Sequence, residues 1–320
     1  MSELAERSSA GRMCPADYRY SPATLNRAPD ITADALYLVG GLYGNLAALA
    51  EIERMAAHER GPVSIVFNGD YHWFDAEPGW FAAIERGVAR HHVIRGNVET
   101  EIARAGDIGA GCGCAYPESV DEDIVTRSNE ILADLRRASR AAGMAGRFAG
   151  LPMHLVAAVG KLRVGIVHGD AASLAGWRFA HEALDDPANA PWQRHIRAQS
   201  GIDVFASTHS CLAALRDFAL PERLTIVNNG AAGMANFSGS TFGVISRIAT
   251  RPSPYPALYG LARNGVFIDA LAVEYDLGAF LARFGKRWPE GSAAHTSYFQ
   301  RIASGPFRTI AQARGRRLAA

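Results

Sequence analysis

The chain lacks most of the features that would announce a macromolecular partner. Its 320 residues carry 33 basic and 32 acidic side chains, a formal net charge of +1. It therefore has no basic excess of the kind that draws a protein to nucleic acid or a membrane surface, and a small-molecule partner is expected. Four cysteines in a chain of this length make no disulfide framework, so reduced thiols are expected. No run approaches the ~18 uninterrupted apolar residues of a membrane helix. The opening MSELAERSSAGRM has no apolar segment of the secretory type, which points to the cytoplasm. Repeats, low-complexity blocks and a convincing interdomain linker are also missing. So are three active-site signatures: GGLYGN lacks the G-x-G-x-x-G spacing, no GK[ST] follows it, and no G-x-S-x-G occurs. Their absence argues against a dinucleotide fold, a P-loop and a nucleophile elbow.

What is present is enough apolar content, 48% against 20% charged, for a large core. Apolar runs recur, each closed by glycine or a small polar residue: ALYLVGG, VSIVFNGD, HHVIRGN, LRVGIVHGD, IDVFASTH and LTIVNNG. Helical patterns (NLAALAEIERMAAHER, WFAAIERGVARH, VDEDIVTRSNEILADLRRASRAA) separate the first of them. The alternation predicts a layered α/β protein. A Gly160-Lys161 turn between two apolar runs predicts a hairpin, and residues 240–276 add strands without a helix between them, so the sheet should be mixed. Residues 1–33 read as a loosely ordered lead-in, 34–280 as one domain with a helical insertion about 102–145, and 281–320 as a helix with a solvated basic tail.

In open α/β sheets ligands bind beyond the carboxyl ends of strands. Here those ends carry Asp70, Asn97, His168 and His209. Any one of them is most simply a turn residue or a hydrogen-bonded histidine. Four in succession form a mixed oxygen and nitrogen donor set suited to a divalent Mn, Fe or Zn ion.

The order GD, GN, HG, then a second His after an apolar strand, followed by NNGAAG, resembles the calcineurin-like metallophosphoesterases, over about residues 34–276. The resemblance implies a four-layer α/β/β/α sandwich and a phosphoric ester hydrolase, acting on a phosphodiester or phosphomonoester, whose site holds two metals about 3.5 to 4 Å apart. It implies Asp70 as the shared ligand, with Asn97, His168 and His209 on the second metal. VGGLYGN stands where the family has D-x-H-G-N: Gly44 and Asn45 match, while Gly41 and Tyr43 replace the Asp and His of the first metal. Tyr43 can serve that metal only as a phenolate, against a phenol pKa near 10. Cys211 replaces the first metal's other histidine, as a thiolate ligand or a small core residue. Val98 replaces the proton-donating histidine, and Glu99 matches an acidic position of structural role. The ligands of one metal survive and those peculiar to the other are altered. That pattern implies one or two ions and a modified hydrolase, or a degenerate relative that binds a ligand or partner instead. His72 is the candidate proton donor, and Tyr43, Asn45 and Arg95 are candidates to meet a phosphate ester. Cys112 and Cys114 lie in a glycine-rich loop that can reach the site, and Trp73 and Phe74 suit either a planar substrate group or the core.

Overall fold

The computed structural model describes residues 10–106 and 108–315. Their strands are β1 (Ile31–Thr32), β2 (Ala35–Val39), β3 (Ser64–Asn68), β4 (His92–Ile94), β5 (His154–Val159), β6 (Leu162–Val167), β7 (Val204–Ser207), β8 (Ala214–Phe218), β9 (Leu224–Asn228), β10 (Gly243–Ala249), β11 (Ala257–Arg263) and β12 (Val266–Val273). The helices are α1 (Leu46–Ala57), α2 (Pro78–Val88), α3 (Asn97–Ala103), α4 (Glu122–Ala141), α5 (His181–Asp185), α6 (Ala190–Ser200), α7 (Leu277–Arg287), α8 (Ala293–Ser304) and α9 (Ile310–Arg314).

The strands build two six-stranded mixed sheets, ordered β11-β12-β10-β2-β3-β4 and β1-β5-β6-β7-β9-β8. Side-chain alternation decides how they stack, because successive residues of a strand face opposite ways. Leu36, Leu38, Val66 and Ile94 of the first sheet meet Val164, Ile166, Val204 and Val227 of the second in a shared core. Their neighbours Tyr37, Val39, Ile65 and Phe67 face outward onto Leu49, Ile52, Met55, Trp80 and Ile84 of α1 and α2. On the far side Phe205 and Ile226 pack with Phe179 and Ile196, the last from α6. The result is the expected α/β/β/α sandwich. Strands buried on both faces explain why the sequence shows continuous apolar runs rather than alternation.

Strands β2, β3 and β4 run parallel, as do β6, β7 and β9. Asn68 donates from its amide to the Val167 carbonyl and accepts from Asn229, so the ends of the two sheets are fastened together. The hairpin at Gly160 forms, with Val159 opposite Leu162. Strand β8 was hidden in the sequence because its ALRDF is broken by two charges.

Two expectations about the ends of the chain are corrected. Residues 10–33 are no loose lead-in: Tyr18 is fully buried with its hydroxyl on Glu101, Tyr20 donates to the Asp170 carbonyl, and Ile31 and Thr32 pair with β5. Nor is 281–315 a solvated tail. Phe284, Trp288 and Ile302 are buried, and the Trp288 indole donates to the Phe74 carbonyl at 2.7 Å. The rest of the basic tail, 316–320, lies outside the described residues.

Candidate metal centre

Two close turns create the site. Gly69, at φ +95°, lies so near the Gly96 turn that a Cβ there would sit 2.6 Å from the Gly96 nitrogen and 2.6 Å from His168 Nδ1. A Cβ on Gly96 would strike the Asp70 carboxylate. Glycine is required at both places because the loops after β3 and β4 touch backbone to backbone. The buried Glu99 carboxylate ties them, accepting from the Asp70 amide at 2.9 Å and the Gly96 amide at 2.8 Å. Burial and the adjacent Asp70 charge push Glu99 up to about 7. The structural role expected for Glu99 is the one it has.

The turns hold Asp70 against His168, which leaves β6, and His209, which leaves β7. One ligand atom of each lies within 4.8 Å of the others. His168 Nε2 is 3.3 Å from Asp70 Oδ2, 2.9 Å from Asn97 Oδ1 and 3.1 Å from His209 Nδ1. The outward atoms are all committed. His168 Nδ1 donates to the Asn68 carbonyl at 2.9 Å, and His209 Nε2 donates to the Cys114 carbonyl at 3.0 Å. Asn97 Nδ2 donates to the Cys112 carbonyl at 3.0 Å. These carbonyls assign both imidazole tautomers and the amide orientation. Two nitrogens and two oxygens therefore point lone pairs into one small volume. Such a cluster needs a cation among its members, either a proton or a metal ion. With a proton alone, burial opposes a charge on His168, but the Asp70 carboxylate outweighs it and raises the pKa, while burial and the His168 charge drive His209 down to about 3. Oxygen and imidazole donors already oriented by carbonyls suit a divalent ion, so the cluster can hold a metal.

The cluster opens into a cavity of about 160 Å³ whose wall includes Tyr43, Trp73, Tyr116, Trp177, Tyr298 and Arg301. Val98 also lines it and offers no proton. A far larger cavity of about 1310 Å³ lies between the edge strands β8 and β11 and α9. Its Arg216 is fully occupied by Asp185 and the Leu215, Gln312 and Ala313 carbonyls, so size does not make it the reactive site.

Next to the cluster, the place of the altered ligands is filled. A Cβ on Gly41 would fall 2.6 Å from Cε2, 2.7 Å from Cζ and 2.8 Å from the hydroxyl of Tyr43. The Tyr43 ring thus lies where a side chain at 41 would project. Its hydroxyl hydrogen-bonds the Cys211 thiol. Burial raises both groups above their usual pKa, the tyrosine strongly. A neutral phenol and a neutral thiol bonded to each other do not bind metal as phenolate and thiolate, and Cys211 stands outside the Asp70, His168 and His209 group.

Three other candidates are drawn elsewhere. His72 is fully buried, stacked on Phe81 at 3.8 Å, with Nδ1 2.5 Å from Asp75 and Nε2 3.3 Å from Glu85. Both nitrogens are engaged away from the cavity, so it is an ion-pair hub rather than a proton donor to substrate. Asn45 caps α1, accepting from the Ala48 amide and donating to the Gly233 carbonyl, each at 3.0 Å. Arg95 reaches the Ala149 carbonyl and takes no part in the cavity wall. Trp73 does line the cavity, whereas Phe74 packs on Phe284 and Tyr298. The glycine-rich loop contributes through the carbonyls of Cys112 and Cys114, which orient Asn97 and His209. Residue-type reasoning missed these carbonyls, and it missed Tyr298 and Arg301 on α8.

With two mixed sheets face to face and Asp, Asn, His and His at the ends of their parallel strands, the architecture is the one the motif order implies. The fold is the calcineurin-like phosphoesterase sandwich. No family model matches the chain, and no curated protein sequence does either. Among solved structures, a hypothetical protein from Pyrococcus horikoshii OT3 is similar with a TM-score of 0.58 at 16% identity, covering 87% of this chain and all of that one. A metallophosphoesterase from Sphaerobacter thermophilus gives a TM-score of 0.49 at 15% identity over 85% of this chain and all of its own. A predicted phosphoesterase from Streptococcus pneumoniae TIGR4 gives 0.36 at 12% identity, over 76% of this chain and 91% of that one. At such identities the likeness is one of fold. Among the described residues no helix is long and apolar enough to cross a membrane.

Proposed function

We propose that the chain is a phosphoric ester hydrolase that uses a single divalent ion, held by Asp70, Asn97, His168 and His209. The observation that carries this reading is the convergence of four lone-pair atoms whose outward partners are already satisfied by carbonyls. A divalent ion there would supply charge to polarise a phosphoryl oxygen and to acidify water. The chain's own residues define the rest. Asp70 is the anion that draws the ion, and the two imidazoles keep neutral nitrogens toward it. Tyr43 and Cys211, both neutral, fill the neighbouring position where the family resemblance puts the other metal. Val98 gives no proton to a leaving group, so esters whose leaving group departs without protonation are favoured over alkyl esters.

The test is elemental analysis of protein purified without chelator, with hydrolysis of p-nitrophenyl phosphate measured on the same sample. One ion per chain and ion-dependent turnover are expected, and both are lost in the His168→Ala, His209→Ala double variant. Unchanged metal content in that variant overturns the assignment of the ligands. Val98 and the filled neighbouring position favour a second reading, a binding protein on the same fold. One ion per chain with no ester turned over selects it.

A further inference from the structure

Arg301 is the unassigned cation of the site. It projects from α8 into the cavity wall beside Asp70, Asn97 and His209. Its Nη2 donates to the Cys211 carbonyl at 2.5 Å and its Nε to the Ala235 carbonyl at 3.2 Å. Two carbonyls hold the guanidinium in place without neutralising it, and no carboxylate pairs with it among the described residues. Nearly every other arginine close to the core is paired: Arg247 with Glu59, Arg216 with Asp185, Arg263 with Asp203. A partly buried guanidinium held rigid, unpaired and bordering a cavity is arranged to receive an anion, and its planar fork matches phosphate oxygens.

The cavity limits what that anion can carry. At about 160 Å³ it is close to the ~150 Å³ void that accommodates a benzene, and well below the ~300–1,000 Å³ of sites that enclose drug-sized ligands. A phosphoryl group and one small arm fit; two organic arms do not. The wall from Trp73, Tyr116, Trp177 and Tyr298 is aromatic, which suits a flat arm.

We infer that Arg301 is the phosphate-binding residue of this site and that its ligands are compact phosphate monoesters with a small planar arm, rather than diesters. The inference rests on the hydrolase reading for its choice of anion. Arg301 then supplies at the cavity rim a positive charge where the filled neighbouring position supplies none.

The test measures binding and needs no turnover. Inorganic phosphate is titrated calorimetrically into metal-loaded wild-type, Arg301→Gln and Arg301→Lys protein, with circular dichroism confirming the fold. At least about a tenfold loss, about 1.4 kcal/mol, is expected for Arg301→Gln, and a smaller loss for Arg301→Lys. Because the carbonyl contacts of Arg301 also brace the fold, wild-type protein provides a second measurement: phosphate should slow phenylglyoxal modification of Arg301 and leave Arg283 unaffected. Phenyl phosphate should displace phosphate, and diphenyl phosphate should not. Wild-type affinity in a folded Arg301→Gln variant, or no protection of Arg301, overturns the assignment of the residue. Equal competition by diphenyl phosphate overturns the monoester class. Phosphate held through Arg301 without hydrolysis of any ester upholds this inference and refutes the hydrolase reading alone.

Discussion

Gly41 and Tyr43 are inseparable in this structure, and a double-mutant cycle measures the coupling. Gly41 has φ +56°, where a residue with a Cβ pays about 1–2 kcal/mol. A Cβ there also meets the Tyr43 ring at 2.6–2.8 Å, against the 3.5–4.0 Å of good carbon contacts, and such overpacking costs about 1–3 kcal/mol. Gly41→Ala should therefore destabilise by roughly 2–5 kcal/mol. Tyr43 is 4% exposed, so Tyr43→Ala should cost about 3–5 kcal/mol by the cavity it leaves. In the double variant the steric part of the Gly41→Ala cost disappears. The double should be more stable than the sum of the singles predicts, by roughly 1–3 kcal/mol. Urea unfolding at fixed pH and metal concentration reads all four corners. Additivity within about 0.5 kcal/mol would refute the view that the ring fills the volume of a side chain at 41. The same view predicts that the folded triple variant Gly41→Asp, Tyr43→His, Cys211→His raises the metal content from one ion to two.

Further expectations concern the groups around the cluster. His72 is buried, which alone would lower its pKa, but Asp75 and Glu85 raise it to about 9. Because the folded value exceeds the ordinary 6.5, this contribution is complete below pH 6.5 and is lost as pH rises through 9. It amounts to about 3 kcal/mol. Urea unfolding from pH 6.5 to 9.5 should show that decline, and an equally steep decline in His72→Gln would rule out His72 as its source. Asn45→Ala should lower stability by about 1–2 kcal/mol through loss of the α1 cap, with metal content and phosphate affinity unchanged; altered phosphate affinity would return Asn45 to the site. A divalent ion supplied at about 100 times its dissociation constant should stabilise the fold by about 2.7 kcal/mol. The gain should appear as a raised melting temperature that chelator reverses, and a melting point equally raised in Asp70→Asn would place the ion elsewhere.

Asp70, Asn97, His168 and His209 were legible in the sequence because each immediately follows a buried strand, so the rule that strands deliver ligands at their carboxyl ends applies directly. The glycines before Asp70 and Asn97 were legible as turns, though not as the touching backbones that bring two loops to one point. What orients the ligands was not legible. The carbonyls of Asn68, Cys112 and Cys114 hold His168, Asn97 and His209, and any residue type supplies a carbonyl. Tyr298 and Arg301 were missed for another reason: a helix whose polar face meets a cavity has the same periodicity as one whose polar face meets water. Read one position at a time, Gly41, Tyr43 and Cys211 count as three separate losses. In space they form one substitution. Removing the side chain at 41 makes room for the Tyr43 ring, and the ring's hydroxyl finds the thiol of Cys211. A site decaying by chance would leave a void or an unsatisfied polar group where three ligands had gone. Here that volume is packed and hydrogen-bonded beside a donor set that is still oriented, which is the arrangement a one-ion site requires.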